Sequence, residues 1–291
     1  EARASGINTI VLDTNVLSAL SALKKMIRRE KFDIIHCHGS RGNMMGVMLM
    51  GMGVPVVTTV HSDNRLDYLG RPFGALVYGN INRLALRIIR YHIGVSDAMT
   101  DLLISRGYDP CGMYTIYNGI DFTPTVPALD RREFLRSIGC GFTDKDIIVG
   151  IAARLDPVKS VGTLVQAFIQ ASKTCPDMRL LIAGDGGQRH MLEKMAKDNG
   201  VGDKVFFAGW VQDMDSFYHA IDINTLTSLS ETFPYAITEG AQVMLPTVSS
   251  AVGGVPMLID HGINGYLFEP GDWNTLAGYL TEYYSSPEKR L

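Results

Sequence analysis

Short apolar runs and amphipathic stretches alternate along the whole chain, and few folds accept that alternation. Residues 7–12, 33–37, 54–60 and 92–95 are compact and rich in β-branched side chains, the pattern of strands buried on both faces. Between them, residues 21–29, 42–52, 76–90 and 97–106 space their apolar positions as helices do. Strand and helix in regular succession predict a parallel sheet covered by helices. The second half repeats the scheme, with strands expected at 147–152, 180–183, 205–208, 221–226, 247–249 and 266–268. Its helices are expected at 161–172, 189–199, 214–220, 235–243 and 273–284. Residues 121–130 hold two prolines and no periodic pattern, so they read as a linker. The predicted class is α/β, with Rossmann-like domains at 1–121 and 146–291 and a linker with a connecting helix at 122–145.

Several functions are excluded before any motif is considered. The longest apolar stretch, residues 44–57, is interrupted by three glycines, whereas a bilayer takes about 20 helical residues to span. The four cysteines, Cys37, Cys111, Cys140 and Cys175, form no C-x-x-C pair. A zinc knuckle is thereby excluded, and a reducing, cytoplasmic setting is expected. Residues 1–121 carry 13 Lys+Arg against 10 Asp+Glu, and residues 122–291 carry 14 against 20. That balance, with no nucleic-acid motif, argues against a DNA or RNA partner. Arg83, Arg87 and Arg90 share one helical face that can meet phosphate or anionic lipid. The simpler reading is the solvated face of an ordinary helix, which commonly shows this spacing; the alternative is a peripheral contact with the inner face of a membrane.

In open parallel sheets ligands sit beyond the carboxyl ends of the strands, so residues directly after strands matter most. Arg154 and Lys159 follow the 147–152 strand and precede a helix, where two cations beside unpaired N–H groups suit a diphosphate. Gly184-Asp185-Gly186-Gly187 follows the next strand; its glycines allow close backbone approach to a ligand, and Asp185 is expected to cap the next helix. Glu231 lies just ahead of a helix starting near Pro234, and Glu239 follows eight residues later. Helix-dipole complementation explains Glu231 but not Glu239; a carboxylate two turns along suits a diol.

Taken together, Arg154-x4-Lys159, the Gly-Asp-Gly loop, Phe207-Ala-Gly209-x-Val211, Glu231-x7-Glu239 and Glu269-Pro270-Gly271-Asp272 resemble family 4 of the glycosyltransferases. Asp33-Ile-Ile-His36-Cys-His38, Thr59-Val-His61-Ser62, Val95-Ser96 and Tyr117-Asn118-Gly119-Ile120-Asp121 extend the likeness through the first half. The resemblance implies the GT-B fold, two Rossmann-like domains facing across a cleft, and transfer of sugar with retention from a nucleotide-diphosphate sugar. By that likeness Arg154 and Lys159, with the backbone N–H groups of Tyr235 and Ala236, hold the donor diphosphate. Glu239, Val211, Gly184 and Asp185 meet the nucleoside, while Glu231 and His61 face the sugar. No metal or other cofactor is implied; the donor is a UDP-sugar or GDP-sugar and the acceptor a glycan or lipid-linked glycan of the cell surface. His36 and His38 alternate along a strand, so at most one of them is expected to face the cleft, and neither reads as a metal ligand.

Ser160 stands where the family usually has glycine. The likeness further implies a first strand with a Gly-rich loop before Glu1 and a closing helix beyond Leu291, so a chain shortened at both ends is expected. Such a chain should bind nucleotide but transfer sugar slowly. The rival readings are a non-catalytic nucleotide-sugar-binding module and a Rossmann oxidoreductase, the latter lacking its G-x-G-x-x-G fingerprint.

Overall fold

A computed structural model describes residues 6–12, 15–63, 65, 79–120, 123 and 126–290. The first half contains α1 (Val16–Glu30), β1 (Ile35–His38), α2 (Gly39–Leu49), β2 (Val56–Val60), α3 (Asn80–Ile88), β3 (Tyr91–Gly94), α4 (Asp97–Ser105) and β4 (Met113–Thr115). All neighbouring strands are parallel, in the order β1-β2-β3-β4. Val56 to Val60 are buried throughout, as a strand covered on both faces requires. Behind the sheet a buried polar chain links three elements: Thr58 Oγ1 donates to Asn43, whose amide donates 2.8 Å to Asn82.

The second half begins with α5 (Arg131–Ser137), which opens on a capping box between Asp130 and Glu133. It continues through β5 (Ile147–Ala152), α6 (Val161–Ala171), β6 (Met178–Ala183), α7 (Arg189–Asp198), β7 (Val205–Gly209) and α8 (Met214–Ala220). Then come β8 (Ile223–Leu226), α9 (Tyr235–Gln242), β9 (Thr247–Ser250), β10 (Gly265–Phe268) and α10 (Trp273–Ser285). The six strands are ordered β10-β9-β8-β5-β6-β7 and are parallel. Val149, Ile151, Leu180 and Ile182 pack on one face against α6, α7 and α10, and Ile148 and Leu181 on the other against α5 and α8. Strand order reverses between β5 and β8, and at such a switch the two following loops diverge and leave a crevice.

Two expectations fail. Residues 7–12 form no strand; Ile7, Ile10 and Val11 are exposed, and β1 pairs only with β2 among the described residues. A strand needs a neighbour to satisfy its backbone groups, and among the described residues none pairs with this run. Conversely β4 escaped notice because three residues are too few to show a period. The expected 76–90 helix and 121–130 linker fall partly outside the described residues, and helix survives over Asn80–Ile88.

Candidate functional site at the switch point

The loop after β5 and the loop after β8 meet where the strand order reverses. Leu229 N donates 2.7 Å to Val158 O, and Thr227 Oγ1 donates 3.0 Å to Lys159 O. These backbone ties bring Lys159 Nζ to 2.6 Å from Glu231 Oε1, which also accepts from Ser228 Oγ at 2.5 Å. The Lys159 side chain is 22% exposed and that of Glu231 10%, so the pair is largely withdrawn from water. An ammonium has three donors; with one on Glu231, two remain for anionic oxygens. Sequence reasoning missed Ser228 as a partner, because a serine in a loop carries no spacing signal.

Lys159 ends a short turn of 3-10 helix, Pro157–Lys159, and Ser160 follows in the left-handed region at φ 46°. That backbone explains why glycine suits the position; serine occupies it at a cost of roughly 1 kcal/mol, with its hydroxyl 3.0 Å from Thr163 Oγ1. Arg154 differs from Lys159. Its side chain is 71% exposed and pairs at 3.2 Å with Asp156 of its own loop.

The Gly-Asp-Gly loop also packs against the backbone of the neighbouring loop. Gly184 has φ 135°, and a Cβ there would lie 1.9 Å from Ala153 O, so its bareness admits the neighbouring loop's backbone. Ala153 N donates to Ala183 O, Leu155 N to Asp185 O, Gln188 N to Leu155 O and Gly184 N to Gly209 O, all within 3.0 Å. Asp185 does not cap α7, which starts behind Gln188 without a side-chain cap. Its carboxylate instead accepts from Gly186 N at 2.7 Å and from Arg189 at 3.3 Å, because three residues still separate it from the helix. Val211 lies two residues past β7, half-buried against the α5–α8 side of the core.

α9 begins behind buried Pro234, which offers no side-chain acceptor to the first turn. The N–H groups of Tyr235 and Ala236 therefore face no competing cap oxygen, the condition under which a helix N-terminus accepts an anion. Asn224 on β8 fixes this helix by donating 2.8 Å to Ala236 O. Glu239 lies farther along α9, half-buried, and forms no ion pair among the described residues. Its neighbour is Tyr218 of α8, whose buried hydroxyl finds no well-formed hydrogen bond. Burial, and after it the Glu239 carboxylate, hold that phenol far above its ordinary value. Tyr218 too was invisible in the sequence, where it reads as one more core aromatic.

The first half contributes His61, one residue beyond β2 and exposed. Its carbonyl accepts 2.5 Å from Thr232 Oγ1, so the residue next to Glu231 touches the residue expected to face it. Gly253 stands behind: a Cβ on it would lie 1.7 Å from Glu231 O, at a backbone φ of 52° that suits glycine. Asp63, Met99, Glu231 and Thr232 help line a cavity of about 390 Å³ between the halves. His36 and His38 both lie on one side of β1, against expectation, since residues i and i+2 of a strand share a face. Their rings are 4.3 Å apart, and His38 Nδ1 lies 2.9 Å from His61 Nε2. Among the described residues no group of His, Cys, Asp or Glu is arranged to hold a metal ion.

Known proteins resemble this chain in sequence and in fold. The profile described as glycosyl transferases group 1 matches residues 139–291, and that of glycosyltransferase family 4 matches residues 12–123. An Escherichia coli UDP-Gal:alpha-D-GlcNAc-diphosphoundecaprenol alpha-1,3-galactosyltransferase is 28% identical, over 91% of this chain and 69% of its own. The Bacillus anthracis N-acetyl-alpha-D-glucosaminyl L-malate synthase is 28% identical over 94% of this chain and 70% of its own. In structure, Anabaena HepE in complex with UDP-glucose superposes with a TM-score of 0.83, at 24% identity, over 99% of this chain and 79% of that one.

Proposed function

Since the chain belongs to the glycosyl transferases of group 1 and is a transferase of GT-B fold, we propose that it moves a sugar with retention from a nucleotide-diphosphate sugar to a glycan or lipid-linked glycan of the cell surface. The observation that carries this reading is the Lys159–Glu231 pair at the switch point, set beside the uncapped start of α9. In transfer the bond from the anomeric carbon to the distal phosphate breaks, and its electrons leave on the diphosphate. The acceptor hydroxyl forms the new bond and passes its proton to the departing diphosphate oxygen. Lys159, Arg154 and the Tyr235 and Ala236 N–H groups stabilise the charge that grows on the leaving group, and fixed donors of this kind act without reorganising. Glu231 and His61 flank the sugar, and Glu239 accepts from the ribose hydroxyls, with Val211, Gly184 and Asp185 nearest the base. Relatives named for UDP-linked sugars favour uridine over guanosine.

Glu239→Ala should weaken UDP binding about 10- to 100-fold, because a charged acceptor contributes about 1.5–3 kcal/mol. Calorimetry with UDP reads it directly, and an unchanged Kd removes Glu239 from the ribose site. Transfer needs no metal in this reading, because cations and helix dipoles do the work of a Lewis acid. Turnover of UDP-sugars should survive excess EDTA; loss restored by manganese overturns it.

The acceptor side offers a membrane contact. No described helix is long and apolar enough to cross a bilayer. Ile81, Leu84 and Ile88 nevertheless form an exposed stripe on α3, with Leu84 63% exposed and no acidic residue in the helix. Arg83 and Arg87 flank the stripe, a pairing suited to an anionic interface. Arg87 is also tied inward, donating 2.9 Å to Arg106 O and lying over the Tyr108 ring, which supports the simpler reading for that residue. Vesicles containing phosphatidylglycerol should sediment the protein, and Leu84→Asp should release it; equal binding to neutral vesicles would sink the contact.

A further inference from the structure

The mechanism just given uses His61 but leaves His36 and His38 idle, although the structure gathers all three. β1 and β2 are parallel, with His38 opposite Thr59, which brings both β1 imidazoles to the end of β2 where His61 emerges. His36 Nε2 lies 2.7 Å from Thr59 Oγ1, the His36 and His38 rings are 4.3 Å apart, and the His38 and His61 rings stack at 5.2 Å. His38 Nδ1 and His61 Nε2 share one hydrogen bond at 2.9 Å.

A bond between two imidazole nitrogens admits one proton only: one ring donates and the other presents a lone pair. It therefore consumes Nε2 of His61 and leaves Nδ1 as the ring's second polar atom, with its role fixed by the partner. If His38 donates, His61 carries its own proton on Nδ1; if His38 accepts, Nδ1 is bare. A solvated histidine has no such constraint. The main chain of His61 is held too, through Thr232. Partial burial, and after it the neighbouring His38, push the His61 imidazole below its ordinary value, which favours the neutral ring, the state in which a tautomer has meaning.

We propose that His38 is a positioning residue for His61, setting the ring orientation and the tautomer that His61 presents to the donor sugar. The inference rests on the reading that His61 faces the sugar. His36, bonded to Thr59 and with its ring tilted against that of His38 at 4.3 Å, holds the second ring in turn.

The test combines tautomer and rate. In protein labelled with 15N-histidine, long-range proton–nitrogen spectra at neutral pH should show His61 in one tautomer, assigned by its disappearance in His61→Ala. His38→Phe keeps the stacked ring but removes the bond, and His61 should then exchange between tautomers. Hydrolysis of UDP-glucose, followed by UDP release, should lose about tenfold or more in kcat with KM nearly unchanged, the sign of misplacement rather than lost binding. His38→Asn returns a polar atom near the Nδ1 position and should recover both signals; it also decides the question if His38→Phe fails to fold. An unchanged His61 tautomer and kcat in His38→Phe, or a failure of His38→Asn to recover either, overturns the proposal. Unchanged kcat in His61→Ala overturns instead the reading on which it rests.

Discussion

Lys159→Ala is expected to lower sugar transfer at least about 100-fold, the scale on which one preorganised donor to a leaving group acts. The same change should destabilise the second half by roughly 1–3 kcal/mol, because it strands a Glu231 carboxylate that is only 10% exposed. Removal of both members should cost the fold less than removal of Lys159 alone, since Lys159→Ala with Glu231→Gln leaves no unpaired charge. Arg154→Ala makes the contrast. Its side chain lies mostly in water and, among the described residues, pairs only within its loop, so diphosphate affinity should fall while the unfolding free energy stays within about 0.5 kcal/mol of the parent. Urea denaturation and single-turnover assays separate the two effects. Full transfer by Lys159→Ala would remove this residue from the leaving-group site. Both cations stand at strand and helix ends, but a largely buried ion pair ties only Lys159 into the fold.

The second large effect lies in the first half, at Asp63. Arg106 Nη1 and Nη2 donate to its two oxygens at 2.7 and 2.6 Å, with the side chains 16% and 10% exposed, and Arg65 N donates to the same carboxylate at 3.0 Å. Burial alone would raise this carboxyl, but the bonds and charges of Arg106 and Arg65 outweigh it and hold Asp63 below its ordinary range. The folded value is the depressed one, so the stabilisation is complete above the unfolded value near pH 4 and disappears as pH falls through the folded one. Arg106→Ala should cost about 3 kcal/mol at pH 7, because it leaves the carboxylate buried and unpaired. Asp63→Asn should flatten the loss of stability below pH 4 that the parent shows. Both are read by denaturation at stepped pH, and an Asn variant as acid-sensitive as the parent would show that other groups control the acid limb.

The second sheet was legible almost residue by residue, because its strands are buried on both faces and bounded by caps. Ile147–Ala152 and Met214–Ala220 begin and end where the pattern places them. The first sheet was less so: β4 is too short to show a period, and residues 7–12 have strand composition without a partner. At the site, Lys159, Glu231 and Glu239 announced themselves as charges at strand and helix ends. What stayed hidden were the contacts between loops. No spacing shows that Ser228 and Lys159 share Glu231, that Thr232 reaches His61, or that Tyr218 stands behind Glu239, because each joins segments the fold alone brings together. The Asp185 cap was misjudged for a local reason, the three residues that separate it from α7.

The loops after β5 and β6 and the end of β7 are stitched to one another mainly through main-chain N–H and C=O groups. A surface built in this way is indifferent to most amino-acid replacements, provided the few bare positions stay bare. Drift in sequence can then recolour the chemistry presented to a ligand while the platform beneath keeps its shape. Donor preference in this chain should therefore be easier to redesign than to destroy, with Gly184 among the places where redesign must not reach.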